Sequence, residues 1–109
     1  MIALAATVVA LATPTWNDAL VSWYGLYGSR TACGSVRYRG QLGVAHRSLP
    51  CGTKVRFIHR KRKITVRVID RGPYVGGRTF DLTEETKNRL RCSDLCRVKW
   101  RIIARGGRH

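Results

Sequence analysis

"TKVRFIHRKRKITVRVID", residues 53–70, holds two alternating runs either side of a basic turn. Val55 and Phe57 fall on one face of the first run, and Ile64, Val66 and Val68 on one face of the second. Period-two alternation buries one side of a strand and leaves the other in water. The short gap between the runs therefore predicts a β-hairpin. The run "HRKRK" at 59–63 reads first as the solvated tip of that hairpin and second as a docking patch.

Outward from the hairpin, "ALVSWYG" (19–25), "QLGVAH" (41–46) and "CRVKWRII" (96–103) read as further strands. "RGPYVGGR" (71–78) is too rich in glycine and proline to continue a strand. Thr83 opens "TEETKNRL", a short helix with Glu84 and Glu85 in its first turn, although Thr-x-x-Thr is not an ideal capping box. Five or six short strands with one small helix predict a mainly β chain closed into a compact barrel.

A chain of 109 residues supports one core. Lys and Arg number 21 against 6 Asp and Glu, a net charge of +15, and Asp18 is the single charged residue among the first 29. Such a surface favours anionic partners, and anionic wall polymers are one class that fits. The charge alone does not define a nucleic-acid motif, so no specific nucleic-acid role is expected. Residues 1–13, "MIALAATVVALAT", form an apolar head too short for a stable membrane span. It reads as a signal peptide with an A-x-A pattern, or as an assembly arm that packs on a protein partner. Residues 14–19 then read as a linker, 20–103 as the barrel domain and 104–109 as a basic tail.

Cys33, Cys51, Cys92 and Cys96 are an even set without the C-x2-C spacing of a zinc site, so disulfides are expected and no metal. Cys33–Cys51 with Cys92–Cys96 is the simplest of three pairings. Disulfides imply an oxidising compartment, which means an extracytoplasmic or virion-associated protein.

Five pieces occur in one order: "SWYG" (22–25), "TACG" (31–34), "GVAHRSLPCGT" (43–53), "VIDRGPY" (68–74) and "FDLT" (80–83). Together they resemble the rare lipoprotein A family of septal ring lytic transglycosylases, over roughly residues 20–103. "SWYG", "ACG" and "FDL" are more distantly similar to expansins and barwin-like proteins. The resemblance implies a six-stranded double-psi β-barrel with a groove for a glycan strand. It makes His46 and Asp70 the functional pair and adds Asp81 from the expansin-like motif. It also supports pairing of Cys33 with Cys51. No cysteine follows the apolar head, so lipid anchoring is not expected; no separate glycan-binding repeat is present, so reach and targeting are expected to come from elsewhere.

The chemistry implied is cleavage of a glycosidic bond in peptidoglycan without a cofactor. An acid protonates the leaving oxygen while positive charge builds at the sugar carbon. A lytic transglycosylase then closes a 1,6-anhydro ring with the sugar's own hydroxyl, so one acid that becomes a base suffices. Asp70 is the candidate acid, with His46 orienting the sugar or relaying the proton. Asp81 either completes a carboxylate pair or fixes the groove by accepting backbone hydrogen bonds. Trp23, Tyr24, Arg71 and Tyr74 are the candidate sugar contacts. An inward-pointing Arg71 would favour the ionised form of Asp70. The alternatives are a non-catalytic, expansin-like wall-binding module and a virion or tail-associated protein bearing a wall-active barrel.

Overall fold

The computed structural model describes residues 15–107. The apolar head, with the signal-peptide and assembly-arm readings attached to it, lies outside the described residues. Six strands and one helix follow in the order β1 (Asn17–Tyr24), β2 (Val44–Ala45), β3 (Lys54–His59), β4 (Arg62–Asp70), β5 (Phe80–Thr83), α1 (Glu84–Leu90) and β6 (Cys96–Ala104). They close into a barrel in the order β1-β5-β2-β4-β3-β6. The β1–β5 and β2–β4 pairs are parallel and the others antiparallel. This is the mainly β, six-stranded barrel with one short helix that the patterning and the resemblance imply.

The β3–β4 hairpin forms as expected, Val55 opposite Val66 and His59 opposite Arg62. Phe57 sits at its centre, edge-on to Phe80, which packs edge-on in turn against Trp100. Val21, Val44, Val55, Val68, Leu82 and Leu90 complete a core from which water is excluded. Burying each such side chain is worth roughly 1.5–3 kcal/mol, so the inward face of every strand is committed.

Three differences from the sequence reading have physical causes. β1 starts at Asn17, opposite Trp100, so three residues read as linker belong to the sheet. "QLGVAH" keeps ladder geometry only at Val44 and Ala45, because Gln41 and Gly43 turn aside to make other bonds. "FDLT" is a strand in its own right, too short at four residues for alternation to reveal it. The tail is also partly anchored. The Gly106 N–H donates to Thr53 Oγ1 at 3.0 Å, and a Cβ at Gly106 would sit 2.1 Å from the Cys51 carbonyl oxygen.

Candidate functional site

Asp70 ends β4, where strict alternation would put it on the core side with Val66 and Val68. It does not go there. Val44 pairs with Val68, but the next residue, Ala45, pairs with Asp70, so the β2–β4 register shifts by one residue. A bulge of this kind re-aims the side chain that follows it. Ala45 also pairs with Asp81, and Asp81 with Ser22. Ser22, Asp81, Ala45 and Asp70 thus form one row across β1, β5, β2 and β4. Neighbouring strands lie about 4.8 Å apart, which sets the two acids' backbones roughly 10 Å from each other.

Asp81 Oδ1 accepts a hydrogen bond from the Ser22 hydroxyl on the β1 side. Asp70 Oδ1 accepts two backbone N–H bonds, from Ala32 at 2.8 Å and Arg71 at 2.9 Å. The expected roles are therefore exchanged in one respect. Backbone donors converge on Asp70, and Asp81 is satisfied by a side chain instead.

Tyr24 stands on the same face as Ser22, two residues along β1. Its hydroxyl is buried and lies close to Asp70, the nearest acceptor, at a geometry short of an ordinary hydrogen bond. Burial, opposed by Arg37 and reinforced by the Asp70 and Asp81 carboxylates, pushes the phenol well above its ordinary range, so it remains a proton donor. The Arg37 guanidinium lies 3.9 Å from the Tyr24 ring centroid and donates to the Tyr24 carbonyl at 3.3 Å. Arg37 is 3% exposed.

His46 follows Ala45 directly, and its N–H donates to the Asp70 carbonyl at 3.1 Å. Its Nδ1 accepts from the backbone N–H groups of Ser48 at 3.1 Å and Leu49 at 3.0 Å. The imidazole proton therefore resides on Nε2. Burial first, then Arg47 and Arg71, pushes the His46 pKa below its ordinary value, so the ring is neutral near pH 7. Its ring packs at a tilt against Phe80, centroids 4.9 Å apart.

Arg71 points inward onto the loop after His46. It donates to the carbonyls of His46 at 3.1 Å and Leu49 at 2.7 Å. These bonds tie it to that loop. Trp23 alternates away from Ser22 and Tyr24. It packs partly on the core, its indole N–H donates to Asp94 at 2.9 Å, and Lys87 lies over its ring. Tyr74 is 79% exposed on the loop after β4. The structure thus brings His46, Asp70, Asp81 and Tyr24 together, and separates Trp23 from them.

Sequence reasoning missed Arg37, Arg47, Ser22 and Tyr38. Arg47 donates to the carbonyls of Pro73 and Arg78 and so ties the two loops beside the row. Tyr38 is 60% exposed on the loop that supplies Ala32. No motif marks these positions, although Ser22 lies inside "SWYG". Both disulfides form, Cys33–Cys51 with Cα atoms 5.7 Å apart and Cys92–Cys96 at 5.5 Å. The first joins the loop of Ala32 to the loop of His46.

The lytic transglycolase family model matches residues 17–102. The endolytic peptidoglycan transglycosylase RlpA of Campylobacter jejuni is 38% identical over 88 residues, covering 77% of this chain and 31% of the relative. The probable endolytic peptidoglycan transglycosylase RlpA of Aquifex aeolicus is 40% identical over 81 residues, covering 71% and 36%. The chain thus spans about a third of these relatives' length. Among solved structures, a Clavibacter michiganensis expansin mutant in complex with cellohexaose superposes with a TM-score of 0.68 at 15% identity, covering 85% of this chain and 52% of that one. The Streptomyces papain inhibitor superposes at 0.66 and 20% identity, covering 82% and 94%. The structural likenesses speak for the double-psi barrel alone, while the sequence match over nearly the whole barrel speaks for descent. By that match, the chain belongs to the lytic transglycolase family.

Proposed function

We propose that the barrel cleaves the glycan strand of peptidoglycan by lytic transglycosylation, with Asp70 as the acid that becomes the base. The observation that carries the reading is the re-aimed Asp70. One carboxylate oxygen is held by two backbone N–H groups, which leaves Oδ2 to exchange a proton. In the first half of the reaction, the Asp70 proton passes to the glycosidic oxygen as the C1–O bond breaks. In the second, the carboxylate accepts the proton of the same sugar's C6 hydroxyl as its oxygen bonds to C1. The 1,6-anhydro ring closes, no water is consumed, and Asp70 ends protonated as it began.

The neighbours suit supporting roles. The neutral His46 ring donates from Nε2 to a sugar oxygen, and the un-ionised Tyr24 phenol donates beside the reacting carboxyl. Asp81 holds the wall of the groove through Ser22. Tyr38 and Tyr74 offer exposed ring faces for sugar stacking. The disulfides and the family relationship support a reaction outside the cytoplasm. Digestion of purified peptidoglycan by the oxidised, folded protein is expected to release 1,6-anhydromuramyl fragments detectable by mass spectrometry. Their absence overturns the reading.

A second reading has its own support. Each acid has one carboxylate oxygen held by hydrogen bonds within the barrel, and an expansin of similar fold was solved in complex with cellohexaose. A non-catalytic glycan-binding barrel would use the same groove. In that case, wall binding survives Asp70→Asn and neither form releases soluble fragments.

A further inference from the structure

A second site of opposite chemistry lies at the far end of the hairpin. Arg60, Lys61, Arg62 and Arg91 line a cleft of about 540 Å³ without an acidic side chain in its wall. Arg60 also borders a neighbouring cleft of about 390 Å³ that adds Arg97 and Lys99, with Asp18 paired to Lys99 at 3.0 Å. Among the described residues, none of Arg60, Lys61, Arg62, Arg91 and Arg97 forms an ion pair. β4 runs nine residues from Arg62 to Asp70, so at ~3.3 Å per step the cleft lies roughly 26 Å from the acid.

Two features show that this cleft is built rather than incidental. Arg60 and Arg91 both adopt left-handed backbone, φ 57° and 53°, at the hairpin turn and the α1 C-cap. Glycine or asparagine fits such positions with less strain, yet arginine occupies both, and both charges face one cleft. The walls are also joined. His59 Nδ1–H donates to the Leu90 carbonyl at 2.7 Å, clamping the hairpin tip to the helix end, and the Cys92–Cys96 disulfide anchors the chain just after Arg91.

We infer that this cleft docks a phosphate-bearing anionic polymer of the cell wall. Three guanidinium forks and an ammonium match phosphate groups spaced along a chain. The choice of a wall polymer rests on the glycan-cleaving reading above, whereas the cleft's affinity for polyanions does not. A polymer held there would keep the barrel on the wall while the Asp70 face, at the other end, meets a glycan strand.

The test measures binding of an oligomeric poly(glycerol phosphate) by fluorescence anisotropy at fixed salt. The Arg60→Asn, Arg62→Gln, Arg91→Asn triple variant keeps residues that tolerate left-handed backbone where they are needed. Its control, Lys54→Gln, Arg67→Gln, Arg105→Gln, removes the same charge from exposed positions elsewhere. The cleft variant is expected to lose about tenfold or more in affinity and the control less than about threefold, as local phosphate contacts require. Equal losses overturn the inference, because they assign binding to net charge alone. A single-stranded DNA of equal phosphate count that binds about tenfold more tightly through the cleft also overturns it, in favour of nucleic acid. The assay needs no turnover, so it fails or succeeds independently of glycan cleavage. Lysis of phosphate-free glycan is expected to be unchanged in the cleft variant.

Discussion

At the scale of the residue, Asp70 and His46 make separable predictions. Asp70→Asn keeps an oxygen that accepts both backbone bonds, but it removes the charge and the transferable proton. Charge-assisted hydrogen bonds exceed neutral ones by about 1 kcal/mol each. The variant should therefore unfold measurably earlier than the parent in a thermal melt, yet release no anhydro fragments. Asp81→Asn and Ser22→Ala disturb one hydrogen bond and should retain cleavage in proportion to folded protein. If Asp81→Asn folds normally and is inactive while Asp70→Asn still cuts, the acid is misassigned. His46→Asn sets an amide oxygen near the place of Nδ1 and should preserve the Ser48 and Leu49 bonds, so lost cleavage in a folded His46→Asn protein identifies Nε2 as the working atom. The pH dependence has a definite sign. The unfolded chain takes up the His46 proton near the ordinary value of about 6.5, and the folded protein does so only at lower pH. This contribution to stability is complete above about pH 6.5 and is lost as pH falls through the folded pKa. Denaturant melts at pH 7.5 and pH 5 should show a smaller drop for His46→Asn than for the parent.

At the scale of the element, the helix start shows how a second threonine takes the place of a capping-box glutamate. Thr83 Oγ1 accepts the Thr86 N–H at 3.3 Å. Thr86 Oγ1 donates to the Gly43 carbonyl at 3.1 Å and accepts from the Gly43 N–H at 3.0 Å and the Thr83 hydroxyl at 2.8 Å. Every polar atom in this buried knot is satisfied, and the knot locks α1 to the residue that leads into β2. Thr86→Val matches the shape but leaves the Gly43 N–H without an acceptor and the Thr83 hydroxyl proton without a partner, while the Gly43 carbonyl keeps the Thr83 N–H; each buried group left unsatisfied costs ~1–3 kcal/mol. A loss of at least about 2 kcal/mol in urea denaturation is the expected outcome. The hairpin, the helix and the Asp70 position were legible beforehand because they rest on alternation and motif order. The knot was not, because it joins residues 43 positions apart. Nor was the bulge that turns Asp70 outward, since a register shift between parallel strands leaves no mark on the pattern of apolar residues. The exposure of Tyr38 and the stacking of Arg37 on Tyr24 depend in the same way on a loop path that no periodicity describes.

At the scale of the whole molecule, the two disulfides divide the labour between the two ends of the barrel. Cys33–Cys51 spans 18 residues and joins the loop that donates to Asp70 with the loop that carries His46. Cys92–Cys96 spans 4 and steadies the basic cleft. Loop-closure entropy makes the longer bridge worth about 3 kcal/mol and the shorter about 2 kcal/mol. Their functional effects should differ more than these energies do. In a Cys33→Ser, Cys51→Ser variant, Ala32 is no longer fixed relative to Asp70. Cleavage measured well below the melting temperature, where all of the protein is folded, should fall several-fold. A Cys92→Ser, Cys96→Ser variant at the same temperature should cleave like the parent and bind the phosphate polymer more weakly. The four measurements, two rates and two affinities, form a cross. If both variants lose cleavage equally, the bridges act through global stability alone. Loss of cleavage confined to the first variant, with loss of polymer binding confined to the second, is the pattern expected of two sites at opposite ends of one barrel.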